Sequence, residues 1–293
     1  MKLKLKNIWR KYNIYIKLII SLTFLYLLFS KFFNIQTILE LKDFNYKILF
    51  LFIPLTLTSL LLRAIRWKLI TKTYKKITLK DAIKLYLIGI YYASITPGKL
   101  GEIVRGLYYS KKYNISKKNG IASVIYDRLF DIITTISLVI AYLINSNLII
   151  MIITAFILSI TLLYIILYYS KYIKKIKYLD DVILPKFKRK TIVFAILSIT
   201  VWITFGLVAK LITLAMGFSI PFTYMILAVC LAVATTIIPI SFNGWGLREG
   251  VYIALLAKYM PSSLSLTLSI LFVLTTTYFL ALFGLIFEIK SHK

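Results

Sequence analysis

Charged side chains stand at three places within stretches of sequence that are otherwise apolar. They are Lys99, Glu102 and Arg105 in the first segment, Asp127, Arg128 and Asp131 in the second, and Arg248 and Glu249 in the third. An ionisable group is costly to insert into hydrocarbon, and one found within a membrane segment by default marks a functional site. These residues therefore form the candidate site of the chain.

Glycines accompany the charges in the first and third segments. They are Gly98 and Gly101, after Pro97, and Gly244 and Gly246, after Pro239. At a glycine turn the backbone amides can face a ligand, and a helix that starts there directs its positive end toward that ligand. With Lys99, Arg105 and Arg248 nearby, the sequence predicts a pocket that binds an anionic group such as phosphate. Glu102 and Glu249 are expected to hold the two arginines in place.

Asp127 and Asp131 of the second segment are four residues apart, so they share one face of a helix, with Arg128 about a third of a turn away. The carboxylates could bind a cation or a proton, or could neutralise arginines of the other segments. All three residues are assigned a charge-positioning role. The alternative is that the segment forms the cytoplasmic first turns of a helix and pairs with loop lysines. Since Cys230 and His292 are the only residues of their types, no disulfide, Cys/His metal site or cofactor is expected.

Arg63 and Arg66, followed by Trp67, end another apolar stretch. We expect the two arginines to extend to the level of the lipid headgroups, with the tryptophan as an interfacial anchor. The alternative is that one of them grips a lipid phosphate, because a guanidinium group matches phosphate with two parallel hydrogen bonds.

The composition identifies the environment of these residues. Of the 293 residues, 60% are hydrophobic, and several apolar runs are long enough to cross about 30 Å of hydrocarbon as helices. The formal net charge is +27, but the 37 lysines and arginines cluster between the apolar runs. Cationic connections beside apolar spans follow the positive-inside rule and attract anionic headgroups. The expected partners are membrane lipids with anionic headgroups, and nucleic acid is not an expected partner.

Six apolar runs are predicted to be full transmembrane helices. They cover residues 18–33, 48–62, 120–143, 148–169, 191–216 and 264–287. Basic residues precede the first run and no small-residue cleavage site follows it, so we expect it to stay as a span rather than to be removed as a signal peptide. Placing the basic connections inside predicts that both chain termini are cytoplasmic.

Two further apolar segments, residues 81–110 and 222–259, are each interrupted by a Pro/Gly turn. A full span through either would place flanking charges on the wrong side, so each is predicted to be a re-entrant helical hairpin, one from each face of the membrane. Paired broken segments indicate a substrate site between inverted repeats. The prediction is an all-α polytopic membrane protein with one domain, 1–293, whose halves are 1–143 and 144–293. The alternative is two ordinary Pro/Gly kinks in spanning helices.

Three motifs in this order carry a family resemblance: Thr96–Arg105, Asp127–Asp131 and Gly244–Gly250. Together they resemble the transmembrane flippase-like domain of lysylphosphatidylglycerol synthases. In those proteins the domain is associated with moving an aminoacylated phospholipid between leaflets, while a separate soluble domain makes that lipid. The chain has no room for the soluble domain, so the resemblance does not imply aminoacyl transfer. Asp127 leads a motif that is similar to Glu/Asp-Arg-x-x-Asp, and Trp245 is bulkier than many relatives carry between the glycines.

The resemblance implies flippase-like translocation of an anionic lipid, or of a polyprenyl-phosphate-linked headgroup, by a multi-pass protein of the plasma membrane. The sequence shows no GxxxxGK[ST] nucleotide-binding loop, so ATP hydrolysis is not expected, and the chain is expected not to be an enzyme. Two alternatives stay open. One is an intramembrane enzyme acting on a lipid phosphate, with Asp127 and Asp131 holding a hard cation. The other is a non-catalytic scaffold for a lipid-modifying enzyme, and a homodimer is compatible with each.

Overall fold

The regular structure in the described part of the chain is entirely helical. A computed structural model describes residues 44–170, 190–237, 241 and 243–291, with the isolated residues 23, 26, 27, 30 and 31. A short helix, Tyr46–Phe50, precedes α1, and a π-helical turn, Leu274–Tyr278, joins α9 to α10. The main helices are α1 Phe52–Thr71, α2 Leu79–Ser94, α3 Ile103–Tyr113, α4 Lys117–Ile144, α5 Leu148–Ser170, α6 Thr191–Ala215, α7 Phe222–Ala234, α8 Leu247–Leu256, α9 Ser262–Val273 and α10 Phe279–Ser291.

Among the described residues, four continuous helical stretches are long and apolar enough to cross a membrane. They are Tyr46–Thr71, Leu148–Ile166, Thr191–Ala215 and Ser262–Lys290. Each overlaps a predicted span, although Tyr46–Thr71 is longer than the predicted span 48–62, and the chain is a polytopic membrane protein. Helix α4 corresponds to the predicted span 120–143 and has 28 residues, about 42 Å at 1.5 Å per residue, but it carries charges near its middle. The predicted first span, 18–33, lies largely outside the described residues.

Helices α2 and α3 form a helical hairpin within the segment 81–110, whose re-entrant course stays a prediction. Its two ends meet, because Lys112 Nζ lies 2.5 Å from Asp81 Oδ1 and the Tyr113 hydroxyl donates to Asp81 Oδ2 at 2.5 Å. Near the turn the arms are in close contact. A Cβ at Gly101 would lie only 2.2 Å from the carbonyl oxygen of Tyr92, so this position accepts only glycine without a backbone shift.

Helices α7 and α8 form a second helical hairpin within the segment 222–259, whose re-entrant course also stays a prediction. The Tyr224 hydroxyl donates to the Leu255 carbonyl at 2.6 Å, and the rings of Tyr224 and Tyr259 lie 5.1 Å apart. The ends of this hairpin therefore meet as well, and neither arm reaches the roughly 20 residues that a full span requires.

The two hairpins lie at opposite ends of α4. Gly106 of α3 packs against Gly120 in the first turn of α4. The ring of Tyr142, near the other end of α4, lies 6.1 Å from that of Tyr224 at the base of the second hairpin. The bases of the hairpins are thus separated by most of the length of α4, and their turns point toward each other.

The two turns share a backbone feature. Gly98 and Lys99 have φ angles of 60° and 54°, and Asn243 and Gly244 have φ angles of 46° and 76°. Each turn thus has two successive residues in the left-handed region, one of them a non-glycine residue that adopts this conformation at a cost of about 1–2 kcal/mol. Such strain persists only where the surroundings enforce it, and it clusters at functional sites.

The close contact of α3 with α4 gives a prediction about stability. A Cβ at Gly120 would lie 2.2 Å from the Gly106 carbonyl oxygen and 1.9 Å from Ser110 Oγ. We expect Gly120→Ala to lower the stability by about 1–3 kcal/mol, because overpacking forces the helices apart. Thermal unfolding in detergent measures this loss. Gly250→Ala is the matched control, since no atom lies within 4 Å of its added Cβ, and an unchanged melting temperature for Gly120→Ala would contradict the packing described.

Candidate functional site

Asp127 is the centre of a buried ion network. Its Oδ1 accepts from Arg66 Nε at 2.7 Å, and its Oδ2 accepts from Arg105 Nη2 at 2.6 Å. The Tyr86 hydroxyl donates to the same Oδ2 at 3.2 Å. The residue has no exposed surface. These contacts tie α4 to α1, α2 and α3, so one carboxylate fixes the first hairpin against two long helices.

Asp131 and Glu102 also belong to this ion network. Asp131 Oδ1 lies 2.7 Å from Arg66 Nη1, and its Oδ2 lies 2.9 Å from Arg128 Nη1. Arg128 also forms an ion pair with Glu102, and Glu102 Oε2 lies 3.7 Å from Arg105 Nη2. Three arginines and three carboxylates are therefore joined in one set with no net charge.

Two predictions about these residues are wrong. Arg66 and Trp67 have no exposed surface, so they do not extend to the headgroup level. Trp67 Nε1 donates to Ser123 Oγ at 3.2 Å, and the Arg105 guanidinium lies 5.0 Å from the Trp67 ring. The alternative placement of the Asp127 segment at loop lysines is also wrong, because its partners are buried arginines. Burying a charge in hydrocarbon requires such a partner, and here a partner from another helix provides it.

The second hairpin contains its own buried ion pair, Arg248 with Glu249. Glu249 Oε2 accepts from the backbone N–H of Gly246 at 2.6 Å, which caps the start of α8. Arg248 Nε also donates to Ser269 Oγ of α9 at 3.1 Å, and its Nη1 donates to the Asn243 carbonyl at 3.3 Å. Glu249 thus holds Arg248 in place, as the sequence predicted, and both side chains are buried.

A cavity of about 470 Å³ lies between the two hairpin turns. Its walls come from both hairpins, from the middle of α4 and from α1, α5, α6 and α9. The volume is within the range of small-molecule binding sites. Its polar or charged lining residues are Arg63, Lys99, Glu102, Arg128, Asp131, Thr135, Thr236, Asn243, Arg248, Thr276 and Thr277.

The opening of the cavity is apolar. Several of its lining residues are also large exposed hydrophobic side chains, with Leu100 61% exposed and Ile125 45% exposed. The others of this kind are Ile132, Ile166 and Ile237. Exposed isoleucine and leucine on the outside of a membrane protein face lipid tails. The lining of the cavity therefore combines charged side chains with apolar side chains that are exposed at the protein surface.

The structure places the predicted site residues in two groups. Lining the cavity are Gly98, Lys99, Glu102, Arg128, Asp131 and Arg248; behind its wall lie Gly101, Arg105, Asp127, Gly244, Gly246 and Glu249. The main difference concerns Arg105, which was expected in the pocket and instead contacts Asp127. Its side-chain carbons lie 3.1–3.3 Å from the position of a Cβ at Gly89, so the bare backbone of α2 leaves room for Arg105 to turn away from the cavity.

The sequence predicted that Arg63 extends to the headgroup level, with the gripping of a lipid phosphate as the alternative, and the structure places it in the cavity wall. Its side chain is 9% exposed, lines the cavity and lies over the rings of Tyr86 and Phe205 at 5.5 and 5.2 Å. Its Nε donates to the Ser59 carbonyl at 3.2 Å. The signal that could have identified it is its place in a run of apolar residues, the same argument that singled out the other charges.

Comparison with curated proteins and with solved structures gives no match. The family model described as the lysylphosphatidylglycerol synthase TM region matches residues 14–284. This match covers both hairpins, α4 and every residue of the site described above. It confirms the resemblance that the three motifs carry, and it suggests a role connected with membrane lipids. The chain belongs to the family of the lysylphosphatidylglycerol synthase transmembrane region.

Proposed function

We propose that this protein moves lipids with an anionic headgroup from one leaflet of the plasma membrane to the other. The observation that carries the proposal is the cavity, whose lining combines four basic side chains with large apolar side chains that are exposed at the protein surface. A headgroup can bind inside while its tails stay in the bilayer. The family of the chain supports a lipid as the ligand.

The proposal places the two hairpins in the membrane as re-entrant elements from opposite faces. Their arms are too short to span, and their bases lie at opposite ends of α4. Helix α10 runs antiparallel to α2, since Gly284 packs against Leu87 while Phe287 lies under Lys84. The end of α10 therefore lies beside the base of the first hairpin. The proposal assigns this side to the cytoplasm, because lysines such as Lys112 cluster there and the positive-inside rule favours basic residues on the cytoplasmic face.

The alternative of an intramembrane enzyme has less support from the geometry. It requires Asp127 and Asp131 to hold a hard cation, yet Asp127 contacts Arg66 and Arg105, and Asp131 contacts Arg66 and Arg128. Carboxylates that neutralise arginines are poor ligands for a second cation, because the like charges repel. Translocation needs no covalent chemistry. It requires cations that can bind an anionic headgroup, and the buried ion pairs behind them keep the rest of the wall neutral.

A cavity-filling substitution tests the proposal. Ala234 lines the cavity, and Ala234→Trp would place an indole ring inside it. We expect translocation of a fluorescent anionic phospholipid in proteoliposomes, followed by quenching with a reductant that does not cross the bilayer, to fall by about tenfold or more relative to the wild type. The matched control is Ile196→Trp, at a position that is 50% exposed and away from the cavity.

The proposal fails on either of two results. The first is a wild-type rate equal to that of protein-free liposomes for every anionic lipid tried. The second is equal translocation by Ala234→Trp and the wild type when thermal unfolding shows that both are folded.

A further inference from the structure

The charged side chains around the cavity fall into two groups. In the first, the compensated set, each charge is matched by an opposite charge; the second, the remainder, has no such match. The compensated set consists of Arg66, Arg105 and Arg128 with Asp127, Asp131 and Glu102, and of Arg248 with Glu249. Each positive charge in it has a negative counterpart, so the set as a whole is neutral. The remainder is Arg63 and Lys99. In the part of the chain that the structure describes, neither has a carboxylate oxygen within 4 Å, and both line the cavity.

The position of Lys99 is enforced by its backbone. It follows Gly98 in a turn where both residues have φ near 55–60°, and Glu102 N–H donates to the Lys99 carbonyl at 3.2 Å. A lysine has no intrinsic preference for this left-handed conformation. The turn therefore holds a cation at the cavity although a glycine or asparagine would be less strained there.

The cavity also has hydrogen-bond donors without acceptors. Trp202 Nε1 and Asn243 Nδ2 are buried, and neither has a hydrogen-bond partner among the described residues. Both residues line the cavity. An unsatisfied buried donor costs about 1–3 kcal/mol. Since these two atoms have almost no accessible surface, a ligand with acceptor oxygens removes this cost only where the side chains turn toward the cavity.

We infer that the preferred ligand is a lipid phosphomonoester, a headgroup that ends in a free phosphate, rather than a phosphodiester lipid. Two uncompensated cations in a low-dielectric cavity are neutralised by a dianion, whereas a monoanion leaves one of them. A phosphomonoester carries about −1.5 to −2 charges at pH 7 and three acceptor oxygens, and a phosphodiester carries one charge. This inference rests on the proposed function, because it assumes that the cavity receives a lipid headgroup.

Binding to the detergent-solubilised protein tests the inference directly. Phosphatidic acid and phosphatidylglycerol with the same acyl chains represent the two classes. At about pH 7.5 we expect phosphatidic acid to bind about tenfold more tightly or better. The second pKa of a phosphomonoester is about 6, so below it the headgroup becomes a monoanion. The preference is therefore present above pH 6 and is expected to disappear near pH 5.

Variants of Arg63 and Lys99 test whether these two cations cause the preference for phosphatidic acid. Lys99→Asn removes the charge with a residue that tolerates the left-handed backbone, and Arg63→Gln removes the second charge. We expect each to reduce the preference and the double variant to abolish it. Lys99→Arg, the matched control, keeps the charge and is expected to keep the preference. Inorganic phosphate at millimolar concentration is expected not to displace the lipid, because it lacks the tails that occupy the apolar opening.

Equal affinity for the two lipids, or a preference that survives in the folded double variant, would overturn the inference. Displacement by inorganic phosphate at concentrations similar to the lipid would also overturn it, since the site would then recognise free phosphate. Translocation of both lipids at the same rate without a binding preference would leave the proposed function intact. Selective binding of phosphatidic acid without translocation of any lipid would contradict the proposed function and keep the headgroup assignment.

Discussion

The Asp127→Asn variant is expected to lose about 3–5 kcal/mol of unfolding free energy, because Arg66 and Arg105 stay buried without the carboxylate they share, and only Asp131 at 2.7 Å and Glu102 at 3.7 Å remain beside them. Asp127 accepts from both guanidinium groups at 2.7 and 2.6 Å, and all three residues are fully buried. Equilibrium unfolding in detergent, or the yield of monodisperse protein where the variant does not accumulate, measures the loss.

Two further variants separate the ion pair from a general effect of removing a carboxylate. Asp81→Asn removes a carboxylate that pairs with Lys112, whose side chain is 51% exposed, and we expect a loss of only about 0–1 kcal/mol. Combining Asp127→Asn with Arg105→Met removes one charge of each sign, so part of the stability is expected to return. A loss for Asp127→Asn no larger than that for Asp81→Asn would contradict the buried network.

The second large effect is expected for Glu249→Gln. This change leaves the turn intact, because a glutamine oxygen can still accept from the Gly246 N–H, but it removes the charge that neutralises Arg248 in the cavity wall. The cavity then has three uncompensated cations. We expect an anionic lipid to bind about tenfold more tightly, a change of about 1.4 kcal/mol, and translocation to slow because release becomes limiting.

Measured lipid affinity and translocation rate together test this second expectation. The control is Asp81→Asn, which changes the net charge of the protein by the same amount at a site away from the cavity, and it is expected to change neither quantity. Weaker binding by a folded Glu249→Gln protein would show that Glu249 contributes to the ligand site directly rather than through Arg248.

The sequence predicted the elements of the fold better than the contacts among them. Each hairpin could be located because proline and glycine interrupt an apolar run, and because charge placement disfavours a full span there. The sequence also paired Glu102 with Arg105 and Glu249 with Arg248, and the structure brings the members of each pair into contact. These are local patterns, in which a few neighbouring residues determine the outcome.

The contact of Arg66 with Asp127 could not be predicted in this way. The two residues are 61 positions apart, and only the packing of α1 against α4 brings them together. The same holds for Arg105, whose direction depends on the absence of a side chain at Gly89. Arg63 was predicted to lie at the headgroup level, because the hydropathy of α1 does not show which parts of this helix other helices cover.

The apolar opening of the cavity has a consequence for selectivity. With the tails of a bound lipid outside the protein, the walls contact little beyond the headgroup, so acyl length and unsaturation have few partners with which to affect affinity. A diacyl lipid and a single polyprenyl chain that carry the same terminal group would then be accepted alike. Discrimination would come from the chemistry of a few atoms at one end of a molecule whose bulk the protein never encloses.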